Sequence, residues 1–344
     1  MPTLATIMIT LGITLSTLMV ISANHWLVAW MGLELNMISI LPMMTKQKHP
    51  RSAEAATKYF LTQATASSIM LLSSTLNAWQ TSSWDITQFN NPLSCILMIF
   101  ALSMKMGAAP LHFWLPEVLQ GSTLTMALLI TTWQKIAPIT LVYMISNHIQ
   151  SNIMLIIGML SILVGGWGGI NQTQLRKMMA YSSIAHLGWT MTAISITPNI
   201  ALLNIIIYMT ISTPIFLLLT TPSIKTLKAM TTTWASSAIT ALLLTLLLLS
   251  IAGLPPLSGF TPKLLILDKL VMHNLTPLAL TLAILSLLSL TFYLRTAYLL
   301  TSMTPPTTTQ STTLWRLKTH HNQITTIMTP IALFNITIMP ALTM

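Results

Sequence analysis

Charge is what this sequence has least of. Among 344 residues there are 15 Lys and Arg and 5 Asp and Glu, and charged side chains make up 6% of the chain. Ordinary soluble domains carry roughly 25%. So few charges cannot cover a water-exposed surface, which excludes a soluble protein although the length would suit two soluble domains. Cysteine is nearly missing too. Cys95 stands alone, which excludes an intrachain disulfide, a cysteine-ligated iron–sulfur cluster and a cysteine-based zinc site.

A contiguous basic patch is also lacking. The net charge of +10 suggests nucleic acid at first sight, but the Lys and Arg residues are scattered through short loops and cannot track phosphates. No nucleic-acid partner is expected. What the sequence has in abundance is apolar surface, 53% of its residues. The solvent that suits it is lipid.

A membrane-spanning helix needs about 20 apolar residues. Such runs occur near residues 3–22, 25–44, 54–78, 92–121, 122–146, 149–170, 174–196, 199–222, 235–272, 275–300 and 323–343. The first lacks the basic flank of a secretory signal and is read as a span. The sequence therefore predicts an all-α polytopic membrane protein of about eleven transmembrane helices. Residues 301–322, rich in Thr and Pro, read as a loop. As one continuous helix, residues 235–272 would extend roughly 57 Å, too long for one crossing and too short for two. Residues 92–121 pose a milder form of the same problem. Both runs contain prolines, which remove backbone donors and stop helices, so each is read as one broken span.

Charge placement tests that count. With each broken run crossing once, Lys46, Lys48, Arg51, Lys58, Arg176, Lys177, Lys225, Lys228, Arg316 and Lys318 fall on the side of Met1, and Lys269 is nearly alone opposite. Counting either broken run twice destroys the asymmetry. The positive-inside rule then places the N-terminus and the 301–322 loop on the matrix or cytoplasmic side and the C-terminus opposite.

The breaks repeat. The stretch from Gly107 to Glu117 (GAAPLHFWLPE) and that from Gly253 to Lys263 (GLPPLSGFTPK) share the frame G-x-x-P-L-x-x-aromatic-x-P-charge at an offset of 146 residues. They lie in spans four and nine, an odd number apart, so the copies enter from opposite sides. That predicts inverted repeats over about 3–146 and 149–300 in a single transmembrane domain, with paired broken helices flanking a transport site.

Charges inside spans are costly, about 2.5–3.5 kcal/mol each. Glu34 falls mid-way through span two, Lys105 just before the first break, Lys135 at the centre of span five and Lys263 just after the second break. Burial favours the neutral form of such groups and an opposite charge favours the ionised one, so a chain of them is poised to exchange protons. Static salt bridges are the bland alternative, but three lysines outnumber one acid. His112 in the first break and His186 beside Tyr181, Ser182 and Ser183 suit either a relay or hydrogen-bonded packing. Glu117 suits either an uptake-side role or none, and Glu54 with Lys58 reads as an ordinary i,i+4 surface pair. Asp268 suits either proton exchange with Lys263 or, as the more ordinary reading, a solvated helix end. The remaining histidines have no metal-ligand spacing. The run Gly165-Gly166-Trp167-Gly168-Gly169 reads as close helix packing, and Trp26, Trp79, Trp84 and Trp234 as an interfacial belt.

The stretches Met31–Asn36, Pro50–Phe60, Trp133–Pro138 and Asn171–Lys177, together with the two breaks, resemble the subunit 2 family of mitochondrial NADH:ubiquinone oxidoreductase, complex I. The resemblance covers essentially the whole chain. It implies an antiporter-like fold with two inverted five-helix repeats and an inner-mitochondrial-membrane location. It also implies a proton path with its switch pair at Glu34 and Lys105, its middle at Lys135 and its far lysine at Lys263. His112 and His186 match positions on the same axis. The expected partners are other membrane-arm and accessory subunits and lipids. NADH, ubiquinone, FMN and the Fe–S clusters belong to the complex, so no cofactor and no metal is expected in this chain. Bacterial members carry three further N-terminal helices, and the abundance of Met and Thr here suits the shortened animal mitochondrial form. A free-standing cation/proton antiporter is the alternative.

Overall fold

The computed structural model describes residues 3–46, 49–89, 91–221, 224–231, 233–302 and 323–334. Its helices are α1 (Thr3–Ile21), α2 (Trp26–Met44), α3 (Pro50–Thr81), α4 (Pro92–Met106), α5 (Trp114–Gly121), α6 (Leu124–Thr131), α7 (Trp133–Ile145), α8 (Ser151–Ile170), α9 (Leu175–Ile194), α10 (Pro198–Thr220), α11 (Leu227–Thr231), α12 (Thr233–Ser236), α13 (Ala238–Ala252), α14 (Phe260–Met272), α15 (Thr276–Ser302) and α16 (Gln323–Phe334). No strand occurs among the described residues. With α4/α5, α6/α7 and α13/α14 each crossing once and α11 and α12 as a connector, the described helices make ten passes and the first part of an eleventh, α16. The all-α, broken-helix architecture read from the sequence holds. Most of the 301–322 loop, with Arg316 and Lys318, lies outside the described residues, as do Lys48 and the end of the last span.

Two loop pairings agree with the count. The loop after the first pass meets the loop after the third, where Trp26 N–H donates to the Trp84 carbonyl at 3.0 Å and Ile86 N–H to that of Asn24 at 3.1 Å. The loop after the sixth meets the loop after the eighth, where Leu175 N–H donates to the Lys225 carbonyl at 3.2 Å and Leu227 N–H to that of Thr173 at 3.0 Å. Loops separated by an even number of crossings share a side, and both pairs obey that rule.

The chain forms two compact units, one of Met1–Ser161 with Met191–Pro198 and one of Ile162–Thr190 with Asn199–Met344. In the second, the glycine run packs as read. A Cβ on Gly165 would stand 2.6 Å from the Ala185 nitrogen of α9, and one on Gly166 would stand 2.8 Å from Leu288 Cβ of α15. Gly168 and Gly169 lie against the rings of Tyr181 and Phe292 in the same way. Tyr181 thus packs on a glycine. The aromatic-belt reading needs one correction. Trp79 is 87% exposed, but Trp26 is 1% exposed and sits edge-on to Phe89 at 5.4 Å. It is a core residue, because the loop pairing folds the chain over it.

Candidate functional site

Each break begins with a glycine in a backbone conformation that other side chains rarely adopt. Gly107 has φ +80° and Gly253 has φ +86°, the left-handed conformation that ends helices. Gly107 N–H donates to Ser103 and Met104 carbonyls at 2.9 and 3.2 Å, and Gly253 N–H donates to that of Ser250 at 3.0 Å. Prolines then forbid helix until α5 and α14 resume. Carbonyls at the end of α4 also take side-chain donors. Trp114 Nε1 donates to Met104 at 3.1 Å, and Gln63 Nε2 donates to Lys105 at 3.3 Å.

Both breaks bring a lysine to the negative end of the upstream half-helix, by different routes. Lys105 lies in the last turn of α4 itself. Lys263 lies in the first turn of α14, where the helix dipole disfavours a cation, but its Nζ reaches back and donates to the Ala252 carbonyl of α13 at 2.8 Å. Glu117 holds the position in the first break that corresponds to Lys263. Its carboxylate meets Lys58 of α3 at 2.6 Å, and Lys58 also meets Glu54 at 2.5 Å. That triad is well exposed.

In the first unit, a third interruption falls between α6 and α7. Thr132 (φ −111°, ψ −75°) interrupts the helix, nearly two turns ahead of Pro138, whose ring clashes with the carbonyl of Gln134 and supplies no donor for it. The kink sets Lys135 at the head of α7. Lys105 and Lys135, 7% and 3% exposed, wall one cavity of about 20 Å³ together with Asn36, Tyr59, Gln63 and Gln134. A water molecule needs roughly 10–15 Å³ on this measure and two to four polar partners, and both are present. Gln134 Nε2 donates to Asn36 Oδ1 at 3.0 Å across the cavity wall. Glu34 of α2 is half-buried and within electrostatic reach of Lys105 and Tyr59. Among the described residues it forms no ion pair within 4.0 Å of Lys105, which argues against a static salt bridge between them.

His112 is buried but is not a wall of this cavity. Its Nδ1 lies 3.2 Å from the Pro110 carbonyl and its ring packs on Phe113. In the second unit, Lys263 is 8% exposed. His186, also buried, stacks on Tyr208 of α10 at 4.8 Å, and the Ser182 hydroxyl faces both Tyr208 and Tyr293. Sequence reasoning missed Asn36, Gln63, Gln134, Tyr208 and Tyr293. Amides and phenols on α2, α3, α7, α10 and α15 carry no charge to mark them inside an apolar run. No group of His, Cys, Asp and Glu able to hold a metal occurs among the described residues.

Helices broken in matched fashion, with buried lysines at their ends, define an antiporter-like membrane protein. The family described as NADH:quinone oxidoreductase/Mrp antiporter, TM, matches residues 23–289. NADH-ubiquinone oxidoreductase chain 2 of Xenopus laevis is 48% identical over 330 residues, 94% of this chain and 95% of that relative. The chain therefore belongs to the NADH-ubiquinone oxidoreductase chain 2 family, the antiporter-like membrane subunits of respiratory complex I. Solved structures agree in fold. A chain of respiratory complex I from Thermus thermophilus superposes with a TM-score of 0.83 at 23% identity, over 97% of this chain and 79% of that one. A chain of the Mrp complex from Dietzia sp. gives 0.78 at 16% identity, over 87% and 61%.

Proposed function

We propose that this chain carries protons across the inner mitochondrial membrane as a membrane-arm subunit of complex I, coupled to electron transfer from NADH to ubiquinone. The observation that carries this reading is the cavity shared by Lys105 and Lys135, roomy enough for water, with Glu34 near Lys105 but not bonded to it. An anionic carboxylate stabilises a neighbouring ammonium, and withdrawing or neutralising it favours the amine and a free proton. Glu34 is the switch on Lys105 in this scheme. The released proton crosses the cavity, by way of water, to the Lys135 amine. The family resemblance supplies the onward step through His186 to Lys263 and the outer side. His112 belongs to the same axis by resemblance alone.

The basic residues gathered on one side support a matrix-facing N-terminus and a C-terminus on the intermembrane-space side. Redox chemistry, with FMN and the iron–sulfur clusters, falls to other subunits of the complex. Other membrane-arm and accessory subunits, and lipids, are the partners. A free-standing antiporter would share the fold, and the likeness to the Mrp complex favours it on fold alone. The test is Lys135→Met and Glu34→Gln in complex I reconstituted in liposomes, with protons translocated per NADH oxidised as the readout. A lower ratio in the assembled variants is expected. An unchanged ratio overturns the path.

A further inference from the structure

The cavity's charged groups are joined by neutral ones whose arrangement is specific. Asn36 lies two residues beyond Glu34 on α2, and Gln134 directly precedes Lys135 on α7. Their carboxamides are hydrogen-bonded at 3.0 Å, and both line the cavity that Lys105 and Lys135 wall. Asn36 is 3% exposed and Gln134 is half-buried, and their bond ties the helix of the acid to the helix of the central lysine.

A carboxamide carries one acceptor oxygen and two N–H donors. The mutual bond uses one donor and one acceptor. Whichever way the two amides are oriented, the pair keeps a carbonyl and N–H groups for whatever enters the cavity. A carbonyl accepts from an ammonium and an N–H donates to the oxygen of a water, so the pair can hold a water in line between two amines. Unlike a carboxylate, an amide does this without trapping the proton as a fixed ion pair.

We propose that Asn36 and Gln134 are positioning residues for proton transfer between Lys105 and Lys135, orienting the water that bridges the two amines and holding α2 and α7 in register. The proposal rests on the proton path given above and assigns it two uncharged members.

The experiment uses assembled complex I in liposomes and measures NADH:ubiquinone turnover, protons per NADH and the solvent deuterium isotope effect. Gln134→Met keeps volume and removes the amide. Coupled turnover is expected to fall roughly ten- to a hundredfold, as for a misplaced reacting group. The isotope effect is expected to rise, because proton transfer becomes limiting, and a purely structural role would not raise it. The exchange Asn36→Gln with Gln134→Asn restores one amide pair of the same combined length and is expected to recover most of the turnover. If Gln134→Met fails to assemble, the same three readings on Asn36→Leu decide. Unchanged turnover and isotope effect in Gln134→Met, beside a failing Lys135→Met, overturn this proposal and leave the path standing. If Lys135→Met pumps normally as well, the path itself fails and this proposal with it.

Discussion

Lys263 donates its Nζ to the Ala252 carbonyl at 2.8 Å, so the downstream half of a broken helix closes the open end of the upstream half. The same residue thus serves as a candidate proton carrier and as a cap. Lys263→Met leaves that carbonyl without its donor inside the membrane, a loss of about 1–3 kcal/mol. Thermal denaturation of the assembled complex is expected to shift down, and Lys263→Arg, which keeps a donor, is expected to shift less. Equal midpoints for the two variants would refute the capping role.

Gly253 stands directly beneath that lysine. A Cβ there would lie 3.0 Å from Lys263 Nζ and 3.1 Å from its Cδ, at φ +86°. Gly253→Ala meets a backbone penalty of roughly 1–2 kcal/mol and crowds the amine. Gly12→Ala is the milder comparison, because it meets a single contact, Ser39 Cβ at 3.3 Å, on ordinary helical backbone. Assembly and turnover are expected to fall for the first and to fall less for the second.

The glycines of α8 predict a graded series. Gly165→Ala sets a Cβ 2.6 Å from the Ala185 nitrogen and 2.8 Å from the Tyr181 carbonyl. Backbone on both sides cannot yield, so α8 and α9 must part. Gly166→Ala meets Leu288 Cβ at 2.8 Å, an atom fixed to α15, but its nearest backbone atom is the Ser289 nitrogen at 3.4 Å, so the helices need part by less. The yield of assembled complex is expected to fall further for Gly165→Ala, and the reverse order would contradict this packing.

Glu117 meets Lys58 at 2.6 Å, yet the side chains are 51% and 41% exposed. Water and salt screen exposed pairs, which contribute little. Glu117→Gln is therefore expected to leave protons per NADH unchanged at physiological salt. A clear loss of pumping would move Glu117 from the surface into the proton path.

The fold was legible where the sequence pays an evident local cost. Gly107 and Gly253 followed by prolines announce the breaks, because left-handed backbone and missing donors admit few residues. Lys105, Lys135 and Lys263 announce themselves because a charge within an apolar run is expensive. Thr132 did not, since a threonine in a hydrophobic span is unremarkable and Pro138 lies nearly two turns beyond it. Trp26 misled for a related reason. Its place at a span end suits a lipid interface, and only the meeting of two distant loops buries it.

The sequence by itself determined the solvent of this protein, the number of its passes, the two breaks and the three central lysines, because each follows from a local imbalance between polar groups and apolar surroundings. Tertiary structure alone decided that Lys105 and Lys135 share a cavity, that Asn36 and Gln134 bridge it, and that Lys263 closes the helix end at Ala252. These relations join residues from 11 to 98 positions apart. They depend on how helices pack, which no local pattern of residues records.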